Sequence, residues 1–103
     1  MSVLMEFAMF PTDKGISVSS DVSKIIEMIR NSGFSYKLGS MGTTVETDTM
    51  NQALDILNKA YNILERNSAR IYSSVKFDIK KGPAGRIEAK LKSIENKIGK
   101  VSK

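Results

Sequence analysis

Along residues 3–10, Val-Leu-Met-Glu-Phe-Ala-Met-Phe, apolar side chains fall on both faces of an extended chain. Val3, Met5, Phe7 and Met9 share one face; Leu4, Ala8 and Phe10 share the other with Glu6. The run predicts a strand, and Pro11, which cannot donate to a ladder, predicts its end. A loop with Gly15 follows. Ser19, Ser20 and Asp21 offer helix N-caps. Val22, Ile25, Ile26 and Ile29 then recur at i, i+3, i+4 and i+7, the stripe of an amphipathic helix. Asn31-Ser32-Gly33 closes it, with Gly33 suited to the left-handed position after the last turn. Phe34, Tyr36 and Leu38 alternate with Ser35 and Lys37 in a second strand. A short connection, Gly39 to Gly42, leads to Thr43–Thr47, a third segment of strand composition, and the closeness of the two predicts a hairpin.

The second helix opens on a capping box of Thr49 and Gln52. Its apolar stripe is Met50, Ala53, Leu54, Leu57, Ala60, Tyr61 and Leu64. Residues 70–79 alternate again: Ile71, Ser73, Val75, Phe77 and Ile79 on one face; Arg70, Tyr72, Ser74, Lys76 and Asp78 on the other. Lys81-Gly82-Pro83 breaks this strand, and Ile87, Leu91, Ile94 and Ile98 mark a narrow stripe on a third helix. The order β-α-β-β-α-β plus a helix is the split βαβ signature. Right-handed crossovers place both long helices on one face of a four-stranded antiparallel sheet. The expectation is an α+β, ferredoxin-like sandwich over residues 1–98, with 99–103 a frayed tail.

Such a sheet leaves one face without helices, and on a monomer that face should be polar. The first strand is apolar whichever side it turns outward, and Tyr72 adds to the excess. A patch of this kind favours self-association through sheet faces. Coverage by the chain's own C-terminal helix is the other way to bury it. Glu6, on a mostly apolar strand, is expected to pair with Arg70 or Lys37 across the sheet.

With 103 residues the chain is the size of one domain. It contains neither cysteine nor histidine. That excludes disulfides, thiolate and imidazole metal sites, and Ser-His or Cys-His nucleophilic catalysis within the chain. Carboxylate or lysine chemistry remains open, with Glu46 as the acid or base. No apolar run is long enough to span a bilayer and no secretory pattern opens the sequence, so a cytosolic, non-membrane protein is expected. The net charge of +5 is concentrated at the C-terminus: from Lys76 onward nine basic residues face three acidic ones. A nucleic-acid-binding role for the basic helix is the alternative function. An RNA-binding sheet of this topology, however, carries aromatics on its third strand, and Thr43–Thr47 has none.

Several segments resemble a family of small thiamine-binding proteins (YkoF-like). These are Phe10-Pro11, Gly15-Ile16-Ser17-Val18-Ser19 entering the first helix, Tyr36, and above all Met41-Gly42-Thr43-Thr44-Val45-Glu46-Thr47-Asp48. That family usually reads Met-Gly-Thr, two variable residues, then Glu-Gly-Asp; here Thr47 replaces the glycine. The likeness runs to about residue 95. It implies dimers pairing through their sheets and commonly tetramers. It also implies binding of thiamine or its hydroxymethylpyrimidine portion by a carrier, buffer or sensor, with no cofactor, no metal and no established catalytic step. The candidate ligand-binding residues are Glu46, Thr43, Thr44, Ser17, Ser19, Met41, Gly42 and Tyr36. An aminopyrimidine needs a carboxylate or hydroxyl for its amine edge and apolar or aromatic walls for its ring, and a thiazolium favours aromatic faces or a carboxylate. Glu46 fits such a role and equally a solvated strand carboxylate. Ser19 doubles as a helix cap, and Tyr36 could stack on a ring or fill an interface.

Overall fold

Strand β1 (Ser2–Pro11) is the axis of the molecule; Ser2 to Met5 are buried on both faces, and from Met5 on burial alternates with side-chain direction. Val3, Met5, Phe7 and Met9 form the floor of the core. Helix α1 (Ser19–Ser32), strands β2 (Ser35–Leu38) and β3 (Thr43–Thr47), helix α2 (Met50–Glu65), strand β4 (Ile71–Lys80) and helix α3 (Arg86–Ile98) follow. The strands form one antiparallel sheet in the order β2-β3-β1-β4. This is the ferredoxin-like α+β order expected of the sequence. The computed structural model describes residues 1–13, 15 and 19–102, with the side chain of Ser19 excepted.

α1 and α2 lie on one face and bury Ile25, Ile29, Ala53, Ile56, Ala60 and Leu64 against β1 and Val45. The stripe of α2 is rotated from the expected one. Ile56 is buried, whereas Leu54 and Tyr61 stay exposed. Apolar residues occupy more than half the circumference of this helix, so periodicity leaves its phase open. The narrow contact with β1 and β3 selects the 53-56-60-64 line. At its start Thr49 and Gln52 form the full capping box, the Thr49 hydroxyl accepting from the Gln52 N–H at 3.1 Å. Thr47, in the usual glycine position, is buried on the core face and donates its hydroxyl to the Thr49 carbonyl at 2.9 Å, which carries the chain into the cap.

The β2–β3 hairpin turns at Ser40-Met41, closed by the Gly39 N–H donating to the Gly42 carbonyl at 2.9 Å. A Cβ on Gly39 would stand 2.9 Å from that same oxygen, so glycine is required there. On the other sheet face the register aligns ranks across the strands: Ser35-Glu46-Leu4-Asp78, then Lys37-Thr44-Glu6-Lys76, then Ala8-Ser74, then Phe10-Tyr72. Glu6 therefore faces Thr44 and Lys76, not Arg70. Neither it nor Lys37 makes an ion pair among the described residues, so the expected pair does not form. The first turns of α3 roof only the first rank or two. Phe10 and Tyr72, in contact at 5.6 Å between ring centroids, stay uncovered. No residue of α3 is buried, and Ile98 is 73 % exposed.

Candidate functional site

β1 is ten residues long and β3 only five, so β1 runs on past its neighbour. Pairing on that side stops at Phe7↔Thr43. Donor directions alternate along an antiparallel strand. The Thr12 N–H bonds to the Arg70 carbonyl on the β4 side. By alternation the N–H and C=O of Met9 point the other way, toward the hairpin turn. A cavity of about 200 Å³ fills this gap. Its floor is Phe7 to Phe10, one wall is Val22, Ile25 and Ile26 of α1, and its rim is Leu38 to Thr43. It is apolar with a strand edge at its base, and its size suits one six-membered ring: a cavity of about 150 Å³ accepts benzene.

A second, more open cavity of about 360 Å³ lies on the helix-free face beneath the start of α3. Leu4 and Ile87 are its apolar walls, and Lys37, Thr44, Glu6 and Lys76 cross it as one rank. Asp78 holds two of its cations, Arg86 Nη1 and Lys90 Nζ, each at 3.3 Å from Oδ2. The Lys90 bond, with Arg86 beside it, keeps the Asp78 carboxyl below its ordinary value.

Glu46 sits at the edge of this face, 6 % exposed, and its carboxylate is engaged by the chain itself. Ser2 Oγ donates to Oε2, and the Gly85 and Arg86 N–H groups donate to Oε1 at 3.2 and 3.0 Å. Arg86 closes the knot through Nε to Ser2 Oγ at 3.1 Å and Nη2 to the Ser2 carbonyl at 2.8 Å. Burial pushes the Glu46 carboxyl up. The Ser2 hydroxyl and the backbone N–H groups of Arg86, Gly85 and Ile87 outweigh it, so the group titrates below its ordinary value. Glu46 is in effect the N-cap of α3, whose own cap residue, Gly85, has no side chain to offer.

The sequence profile of the thiamine-binding protein family matches residues 5–95. The chain belongs to that family. A UPF0045 protein of Methanocaldococcus jannaschii is 34 % identical over 92 residues, covering 89 % of this chain and 91 % of its own. One from Mycobacterium tuberculosis is 26 % identical over 95 residues, with 92 % and 93 % covered. A crystal structure of a hypothetical protein from the same Methanocaldococcus species superposes with a TM-score of 0.80 at 33 % identity, over 90 % of this chain and 95 % of the other. A Thermotoga maritima protein provisionally assigned to thiamine biosynthesis or salvage has the same fold: TM-score 0.77, 23 % identity, 91 % and 99 % covered.

Within this fold the eight candidate residues do not converge on one place. Met41, Gly42 and Thr43 line the turn cavity, with Met41 90 % exposed at its rim and Thr43 buried. Thr44 lines the cavity on the helix-free face. Glu46 is committed to α3. Tyr36 points to the helix side and packs against the core. Ser17 and the Ser19 side chain lie outside the described residues. Sequence reasoning missed the lining by Phe7, Ala8, Phe10 and α1, because the gap between strands of unequal length exists only after pairing. It also missed Ser2 and Arg86 as partners of Glu46. One signal was available: Lys81 to Gly85 contains no Ser, Thr, Asp or Asn to cap the helix that follows. Among the described residues no three Asp or Glu side chains gather as a metal site, and no helix is long and apolar enough to cross a membrane.

Proposed function

We propose that this protein binds thiamine, through its hydroxymethylpyrimidine ring, in the turn cavity, as a cytoplasmic homo-oligomer without a cofactor and without chemical conversion. The observation that carries the reading is the meeting of the Met41-Gly42-Thr43 motif with an apolar cavity sized for a single ring. The Met9 N–H and C=O supply one donor and one acceptor side by side, the complement of an aminopyrimidine edge. Phe7, Phe10 and Ile26 supply walls, and the Thr43 hydroxyl a further polar group. Binding as a carrier, buffer or sensor asks nothing more of these residues.

Isothermal titration tests it. Thiamine and free hydroxymethylpyrimidine bind saturably, and the isolated thiazole does not. Ile26→Phe, which fills the cavity from a half-buried position, weakens both by about tenfold or more. Absence of heat and of a thermal shift with about millimolar thiamine rejects the reading.

Self-association rests on apolar side chains that the single chain leaves in water. Tyr72 is on the helix-free face, Phe77 and Ile79 are on the part of β4 that neither α1 nor α2 covers, and Ile94 and Ile98 are on α3. Pairing of sheet faces into a dimer, and of dimers into a tetramer, would bury them.

A further inference from the structure

The two cavities are neighbours separated by a residue without a side chain. Gly42 lines the turn cavity, and a Cβ built on it would stand 3.5 Å from Glu6 Cγ and 3.2 Å from the Phe7 carbonyl oxygen. Glu6 lines the cavity on the helix-free face. Beside Gly42 in the lining, Ala8 pairs with Ser74, and these small side chains leave the surface low between the two cavities. One rank farther on, about 7 Å along the strands, lie Lys37, Thr44, Glu6 and Lys76.

Along this line the chemistry runs in a definite order. First comes an apolar cavity for a neutral ring, then a single rank in which Thr44 and Glu6 stand between two lysines. Lys37 and Lys76 make no ion pair among the described residues, whereas Arg86 and Lys90 on the far wall are already engaged by Asp78. A ligand that matches the sequence has a flat uncharged heterocycle, a cationic middle and an anionic tail.

We propose that the preferred ligand is a phosphate ester of thiamine, its ring in the turn cavity, its thiazolium beside Glu6 and its phosphoryl tail between Lys37 and Lys76. The inference rests on the reading of the turn cavity as the pyrimidine site and adds the part of the ligand that lies outside it. Glu6 explains itself in this arrangement: a carboxylate among lysines is unfavourable for a simple anion site and favourable for a ligand that brings its own positive charge ahead of its phosphate. The Thr44 hydroxyl, between Lys37 and Glu6 in the rank, is a neutral donor for a phosphoryl oxygen.

Titration of thiamine, thiamine monophosphate, thiamine diphosphate, and thiamine with inorganic pyrophosphate, at two ionic strengths, tests the assignment. The diphosphate binds at least about tenfold tighter than thiamine. The double variant Lys37→Gln, Lys76→Gln removes that advantage without weakening thiamine itself. Lys92→Gln with Lys97→Gln, which lowers the net charge equally but lies elsewhere on α3, keeps it. Glu6→Gln weakens thiamine and its esters alike. Tight binding of pyrophosphate that does not respond to thiamine overturns the linked arrangement. Equal affinity for thiamine and its diphosphate overturns the proposal and leaves the pyrimidine site standing, as does an advantage that survives in the Lys37, Lys76 variant. If no thiamine compound binds, both readings fall together.

Discussion

Glu46 shows how much one side chain decides. Its carboxylate accepts from a hydroxyl and from the amides at the start of α3, in a place largely shielded from water. Hydrogen bonds to a charged group contribute about 1.5–3 kcal/mol each to stability, and less when shared. Glu46→Gln keeps the shape but removes the charge that the helix N-terminus favours, and should lower unfolding stability by about 1–3 kcal/mol in chemical denaturation. The pH dependence has a definite sign. Because the folded-state carboxyl titrates below its ordinary value, the wild type keeps this stabilisation above the ordinary carboxylate range and loses it as pH falls through and below that range. The variant should therefore show a smaller loss between about pH 6 and about pH 3, and equal slopes for the two proteins would contradict the assignment.

Among the elements, α3 is the outlier. The helices α1 and α2 are held by buried apolar stripes. By contrast α3 has no buried residue and is held at its first turn by the Glu46 knot and by the Asp78 pairs. Local opening should follow contact. Amide hydrogen exchange in α3 is expected to be at least about tenfold faster than in β1, and Glu46→Gln should accelerate α3 beyond what its effect on global stability explains. Uniform exchange across both elements would mean that α3 opens only with the whole domain. The contrast between α2 and α3 was only half visible in sequence. Both carry an apolar stripe, but a stripe states that a helix wants a partner, not whether its own chain supplies one.

At the scale of the molecule, β4 is the element that a lone subunit fails to satisfy. It is a ten-residue edge strand with Phe77 and Ile79 on one face, Tyr72 on the other, and no strand paired to its outer side among the described residues. Light scattering should give a mass that is a multiple of 11.4 kDa. Tyr72→Lys, which places a charge on the helix-free face, should shift the assembly toward smaller species, and Leu54→Lys, on the outer surface of α2, should not. A monomer at working concentration would remove the oligomer from the proposed function while leaving the turn cavity intact.

The amino-acid sequence by itself determined the elements and their order, because periods of 2 and 3.6 and the Gly, Pro and capping signals are local. It determined the topology through the handedness of crossovers, the hairpin at Gly39–Gly42 through its brevity, and family membership through the motif from Met41 to Asp48. The tertiary structure alone decided which side of α2 is buried, since a helix apolar over most of its surface has several equivalent phases. It alone separated Thr43 from Thr44, because neighbours in a strand face opposite ways, and so placed a cavity on each side of Gly42. It alone gave Glu46 to α3: the amides that claim this carboxylate are some forty positions away along the chain, and no local pattern reports which distant donors a buried charge will meet.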